Sequence, residues 1–216
     1  GVRMLQIGEF CAYVALIAGA FLLGGVMFCR LIPLWIKGVD VTENTEDHNP
    51  GATNAFRACG AKIGFLCLLC DLFKGYLPAY IAVRLLPTNN FMFSLVMVAP
   101  VLGHAVGVFN GFGGGKCIAT SFGVAFATLR LSPAGLILAV IYIVLIGICR
   151  MEHRLGSIVT FAVFGLSSLI LTCVTGRPWV GVGFVFISAV AIFRHIRKGE
   201  KKDKKRDVED AVPENT

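Results

Sequence analysis

The stretch "GSIVTFAVFGLSSLILTCVTGRPWVGVGFVFISAVAIFRHI", residues 156–196, is two long apolar runs parted by the polar break Gly176-Arg177-Pro178. A bilayer core about 30 Å thick needs roughly 20 apolar residues at about 1.5 Å of rise per helical residue. Each run has that length, so the stretch predicts two transmembrane helices, at 156–174 and 178–196. Working outward, runs of the same kind lie at 9–29, 63–86, 91–109, 113–130 and 132–149. The expected fold is an all-α integral membrane protein with about seven transmembrane helices. Composition agrees: 56% of the 216 residues are hydrophobic, 15% are charged, and mean hydropathy is +0.77. The run at 113–130 is the least regular, because "GFGGGKCIATSFGVAFATL" leads from Gly-rich polar sequence directly into apolar sequence. Its first third is expected to be a loop or broken helix that lines a cavity, where irregular backbone need not face lipid.

Lys and Arg set the orientation. With seven spans, one side carries Arg30, Lys37, Arg57, Lys62, Lys116, Arg150, Arg154 and the basic residues from Arg194 onward, and the other only Arg3, Arg84, Arg130 and Arg177. The positive-inside rule then places the N-terminus outside and the C-terminus in the cytoplasm. Residues 1–196 are expected to form one membrane domain, and 197–216 a disordered, charged cytoplasmic tail. The net charge of +7 owes much to "RHIRKGEKKDKKRD", which mixes acids with bases and lacks interleaved aromatics, so it argues for headgroup contact and against nucleic acid. The eight cysteines are spread through spans and cytoplasmic loops and are expected to be free thiols. Cys67 and Cys70 form a C-x-x-C on an apolar helix with no second pair, so no metal site is expected. No signal peptide and no internal repeat are legible.

Polar residues collect on the cytoplasmic side. In "EDHNPGATNAFRACG", 46–60, Gly51 allows a tight turn after Pro50, and Thr53 and Arg57 stand four apart on one helical face. A helix start beside an Arg fork suits an oxyanion such as phosphate; a capped helix whose Arg reaches lipid headgroups fits the same spacing. In "GHAVGVFNGFGGGKCIATS", 103–121, Gly113, Gly114 and Gly115 could present successive N–H groups beside Lys116. This is not a Walker A loop, since Asn110 stands at its first glycine and Cys117 at its Ser or Thr. In "CDLFKGY", Asp71 and Lys74 lie inside a span at i,i+3, where each charge costs about 2.5–3.5 kcal/mol. They serve either as an intramembrane ion pair or as the wall of a watery site.

"GATNAFRACG", "LCDLFKGYLPAY" and "GHAVGVFNGFGGGKCIAT" together resemble the bacterial acyl-phosphate:glycerol-3-phosphate acyltransferases of the PlsY type, whose motifs read GSGNxGATNxxRxxG, DxxKG and GHxFPxFxxFKGGKGxAT. The resemblance runs from about Gly24 to the end of the chain. It implies transfer of a fatty acyl group from acyl phosphate to the 1-hydroxyl of glycerol 3-phosphate, giving lysophosphatidic acid and phosphate for phospholipid synthesis. It also implies a multi-pass protein of the bacterial inner membrane with a cytoplasmic active face, no cofactor and no obligate protein partner. By resemblance, Asn49, Thr53, Asn54 and Arg57 from the first motif and His104, Gly114, Gly115, Lys116 and Thr120 from the second belong to the substrate site. No side-chain nucleophile is implied, because acyl phosphate is already activated and the substrate phosphate helps to accept the hydroxyl proton.

The chain departs from these motifs. "NTEDH", 44–48, stands where the family has HGSG, which removes the Ser and adds Glu46 and Asp47. A carboxylate about 4 Å from a phosphate charge costs on the order of 4 kcal/mol at an effective dielectric near 20, so retained activity predicts a loop that points away. FGGGKC replaces FKGGKG, and "AIFRHIRKGEKK" stands in place of HRxNIxRLxxGxE, with His195 as a candidate substitute for the family's His. Three functions remain open: a working acyltransferase, a non-catalytic homologue that binds a phosphorylated lipid or metabolite, and a small-solute transporter.

Overall fold

Without water in the bilayer core, backbone N–H and C=O groups must be satisfied within their own segment, so each long apolar run closes into a helix. The computed structural model describes residues 6–43, 45 and 47–210, with the backbone alone over 201–210. Arg3, Glu46 and the last six residues of the expected tail lie outside the described residues. In chain order the elements are α1 (Ile7–Gly25), α2 (Phe28–Lys37), α3 (Ala52–Cys59), α4 (Ala61–Leu85) and α5 (Phe91–Val106). They continue with α6 (Ile118–Ala127), α7 (Ala134–Tyr142, extended by a π-helical stretch Ile143–Ile148), α8 (His153–Val174) and α9 (Pro178–Asp210).

Five stretches among the described residues are long and apolar enough to cross a membrane: Ile7–Gly25, Ala61–Leu85, Phe91–Asn110, His153–Val174 and Pro178–Glu200. The runs expected at 113–130 and 132–149 give shorter helices, Ile118–Ala127 and Ala134–Ile148. Ten residues rise only about 15 Å, half of a bilayer core. The fourth run starts late, as its Gly-rich opening foretold: residues 113–117 are not helical, and Cys117, just before α6, sits in the left-handed region at φ +69°. The first run is cut at Gly25. Gly24 lies so close to α5 that a Cβ there would meet the Pro100 carbonyl oxygen at 2.1 Å. Past that contact the chain turns into α2, and the expected loop at 30–62 holds two short helices. α9 crosses the boundary drawn at 196–197 and carries His195 and Lys198 in one continuous helix.

α5 is the central element: Phe93, Val96, Met97 and Val101 are fully buried among α1, α4 and α9. Lipid tails are as apolar as Leu, so these helices gain little from burying apolar surface against each other and associate through close backbone approach. At the α4–α6 crossing a Cβ on Gly75 would meet the Thr120 carbonyl oxygen at 2.1 Å, and one on Gly123 would meet that of Leu72 at 2.0 Å. Gly123→Val is therefore expected to cost at least about 3 kcal/mol, read as a fall in thermal unfolding temperature of the detergent-purified protein. Gly8→Ala, with nothing within 4 Å of its Cβ, is expected to leave that temperature unchanged; equal behaviour of the two variants would refute the close crossing.

Asp71 and Lys74 pair at 2.8 Å with their side chains 3% and 0% exposed. Lys74 also donates to the Val26 carbonyl at 2.6 Å, and the Cys29 thiol donates to Asp71 at 3.1 Å. The pair is an intramembrane ion pair, and its Asp71 also stands in the wall of the large cavity.

Candidate functional site

The segment from Val39 to Gly51 is organised by side-chain turns. Asp40 accepts from Arg30 at 2.6 and 2.8 Å and from the N–H and hydroxyl of Thr42 at 2.9 and 2.6 Å. His48, at φ +43°, stands with its Nδ1 beside the Thr42 carbonyl. Gly51 then begins α3, and a Cβ there would strike the Asn49 amide at 2.4 Å. Inside this wrap the buried Asn54 amide donates to the Thr45 hydroxyl at 3.2 Å, to Asp47 at 2.9 Å and to the Asn49 carbonyl at 2.9 Å. One side chain thus pins the whole turn.

The pinned turn aims Asp47 into the cavity, where it pairs with Lys116 at 2.8 Å. The expectation that this loop points away is overturned. The repulsion that motivated it is offset by a partner, since Lys116 and Asn54 together neutralise and solvate the carboxylate. Burial pushes the Asp47 carboxyl up, but the bonds from Lys116 and Asn54 outweigh it and hold the group at about 2, so Asp47 is an anion at any physiological pH.

The three glycines before Lys116 serve packing more than ligand contact. The Gly113 N–H donates to the Asn110 carbonyl at 2.9 Å and that of Gly115 to the His104 carbonyl at 3.0 Å. Neither N–H is available as part of a phosphate cradle. A Cβ on Gly114 would lie 2.0 Å from the Ala105 carbonyl oxygen, and one on Gly115 would lie 2.1 Å from His104 Nε2. Arg194 of α9 donates to the carbonyls of Gly114 and Gly115. Gly114 and Gly115 therefore stand behind the wall and hold Lys116 in place. Thr120 is buried at the α4 crossing against Gly75 and is likewise not part of the lining.

The structure brings Asn49, Thr53, Asn54, Arg57, His104, Lys116 and His195 around one cavity of about 1330 Å³. Its polar end also receives Arg154 and Lys198, and Lys198 donates to Asn49 Oδ1 at 2.7 Å. Its other limb is apolar, walled by Leu68 and Leu72 of α4, Ile118, Phe122 and Phe126 of α6, and Tyr142 of α7. His195 is 1% exposed, and its Nδ1 lies 2.8 Å from the Ala191 carbonyl. A carbonyl can only accept, so the neutral ring carries its proton on Nδ1, and the buried Nε2, which has no hydrogen-bond partner, keeps its lone pair. Lys198 and Arg194 were missed because they sit in a charged run that reads as a solvated tail. The signal was present: residues 194, 195 and 198 share one helical face at i,i+3 and i,i+4 spacing. The arrangement can hold an anionic headgroup at the cationic end and an alkyl chain in the apolar limb.

The family model described as glycerol-3-phosphate acyltransferase matches residues 14–201. The chain is 34% identical over 175 residues to glycerol-3-phosphate acyltransferase 2 of Thermotoga maritima, covering 81% of this chain and 85% of that protein. It is 37% identical over 182 residues to the glycerol-3-phosphate acyltransferase of Aquifex aeolicus, covering 83% and 90%. A solved structure of PlsY (YgiH), an integral membrane glycerol 3-phosphate acyltransferase in its glycerol 3-phosphate form, superposes with a TM-score of 0.76 at 33% identity, over 90% of this chain and 94% of that one. The lysophosphatidic acid form of the same enzyme gives 0.75 at 33% identity, over 90% and 93%.

Proposed function

Because the chain belongs to the glycerol-3-phosphate acyltransferase family of integral membrane enzymes, we propose that it moves a fatty acyl group from acyl phosphate to the 1-hydroxyl of glycerol 3-phosphate. The products are lysophosphatidic acid and inorganic phosphate. The observation that carries this reading is a single cavity whose cationic end, with Arg57, Lys116, Arg154 and Lys198, runs into an apolar limb between α4, α6 and α7. Both substrates bring phosphate and one brings an alkyl tail, so charge-assisted bonds at one end and apolar lining at the other suit the pair.

In this mechanism the acceptor hydroxyl attacks the acyl carbonyl carbon, a new ester C–O bond forms, and the bond from that carbon to the phosphate oxygen breaks. Phosphate leaves with the electron pair. The hydroxyl proton passes to a substrate phosphate oxygen, while His195 offers its Nε2 lone pair to orient the hydroxyl. Asn49, Thr53 and Asn54 position the headgroup and the loop that carries Asp47, and His104 braces the glycine turn behind Lys116. Catalysis is by positioning and charge, with no cofactor and no protein partner. In the membrane, the proposal has α6 with its leading loop and α7 with its π-helical extension complete seven crossings. The N-terminus then lies outside, and the C-terminus and active face lie on the cytoplasmic side of a bacterial inner membrane.

The Asp47–Lys116 pair favours one second reading, a non-catalytic homologue that binds a phosphorylated lipid or metabolite. Purified protein supplied with palmitoyl phosphate and glycerol 3-phosphate separates the two. Equal amounts of phosphate and lysophosphatidic acid are expected; no product from folded protein, together with a rise in thermal stability on adding glycerol 3-phosphate, would establish the binding role instead.

A further inference from the structure

Among the described residues three carboxylates line the cavity: Asp47, Asp71 and Glu152. Asp71 is committed to Lys74, and Glu152 accepts from the N–H groups of Arg154 and Leu155 at 2.9 and 2.8 Å. Asp47 differs in being paired with Lys116, a cation that the cavity offers to substrate phosphate. The family motif GSGN places Ser two residues before the Asn that corresponds to Asn49, so this chain has an anion where the motif has a neutral hydroxyl.

On the reading of this cavity as a phosphate site, we infer that Asp47 is a specificity-determining residue, a resident counter-anion that weakens each incoming headgroup in proportion to that headgroup's negative charge. The carboxylate is anchored from within its own turn. Its turn is held by three bonds from Asn54, and the Asn49 N–H donates to Asp47 Oδ1 at 3.3 Å. Displaced from Lys116, it remains beside whatever replaces it. Coulomb energy is linear in ligand charge, so a monoanion weakened about threefold implies a dianion weakened about tenfold. Asp47 therefore loosens both the dianionic acceptor and the phosphate product, and it narrows the cavity's preference for doubly over singly charged headgroups. Its constant ionisation above about 2 makes this a fixed setting rather than a pH switch.

The test uses the purified full chain and two probes at pH 8 and matched ionic strength: methyl phosphate, which carries close to two charges there because its second ionisation lies near about 6, and dimethyl phosphate, which carries one. Affinities are measured by thermal shift and calorimetry for the wild type, Asp47→Asn and Asp47→Ser. Methyl phosphate is expected to bind at least about tenfold tighter to both variants and dimethyl phosphate about threefold tighter. Inhibition of acyl transfer by inorganic phosphate is expected to strengthen by a similar tenfold. Unchanged or weaker methyl phosphate binding by the folded variants overturns the inference and makes Asp47 a support that merely aims Lys116; so does a wild type and variants that bind neither probe. An inactive wild type whose variants still show the charge-graded tightening sinks acyl transfer and keeps the role of Asp47. An active wild type whose phosphate inhibition ignores both substitutions does the reverse.

Discussion

Lys116→Ala is expected to lower acyl transfer at least about a hundredfold while shifting the unfolding temperature by no more than about 4 °C. The functional loss is large for two reasons. Lys116 is a half-buried point charge on the cavity wall, and one preorganised charge-assisted donor to a developing anion contributes about 10²–10³ in rate. Its removal also leaves Asp47 without the cation it pairs with, held by the Asn54 amide and the Asn49 N–H beside any phosphate that enters. The structural loss is small because the two side chains are 24% and 23% exposed, and a pair of that kind contributes about 1 kcal/mol or less. Steady-state turnover and thermal unfolding of the same preparation give both quantities. Wild-type turnover in Lys116→Ala would remove the phosphate-site assignment altogether. Asp47→Asn combined with Lys116→Ala should recover part of the loss, since it removes the exposed repulsion but cannot restore the cation.

The second large effect is one of stability. Lys74→Ala is expected to cost about 3–5 kcal/mol, because it leaves the buried Asp71 carboxylate without its cation and removes a donor to the Val26 carbonyl. Val26 is where α1 ends, so the lysine also ties that break to α4. Thermal unfolding of Lys74→Ala should fall by more than about 6 °C. The double variant Asp71→Leu with Lys74→Met should return most of the way to wild type, because paired replacement of buried ions by apolar residues leaves no uncompensated charge. A double variant as unstable as the single would mean that the Val26 contact, and not the stranded charge, carries the cost. Asp71 also lines the cavity and lies near His104, so activity in the stable double variant reports separately on its part in the site.

Much of the fold is legible in the chain because hydropathy over about 20 residues is a local quantity. The runs at 91–109, 156–174 and 178–196 each correspond to a helix of spanning length, and the weakness of the run at 113–130 was visible in its glycines. The end of α1 was not legible. Nothing near Gly24 in the sequence announces that Pro100 lies against it, and the apolar run continues past the turn. The site divides in the same way. Asn54, Arg57, His104 and Lys116, singled out by the motifs the sequence resembles, do line the cavity. Thr120 and the glycines matched the same motif, but they serve the packing behind the wall.

The amino-acid order alone was enough for a helical membrane protein whose polar residues gather in a few segments, because burying charge in lipid is so costly that such residues mark their segments by position. Tertiary structure alone decided which of those residues meet. It brought Lys198 from the apparent tail to Asn49, set Arg194 behind the glycine turn, and joined Asp47 to Lys116 across 69 residues of chain. Electrostatic pairing depends on separation in space, and a turn pinned by one buried amide sets that separation with no trace in local sequence.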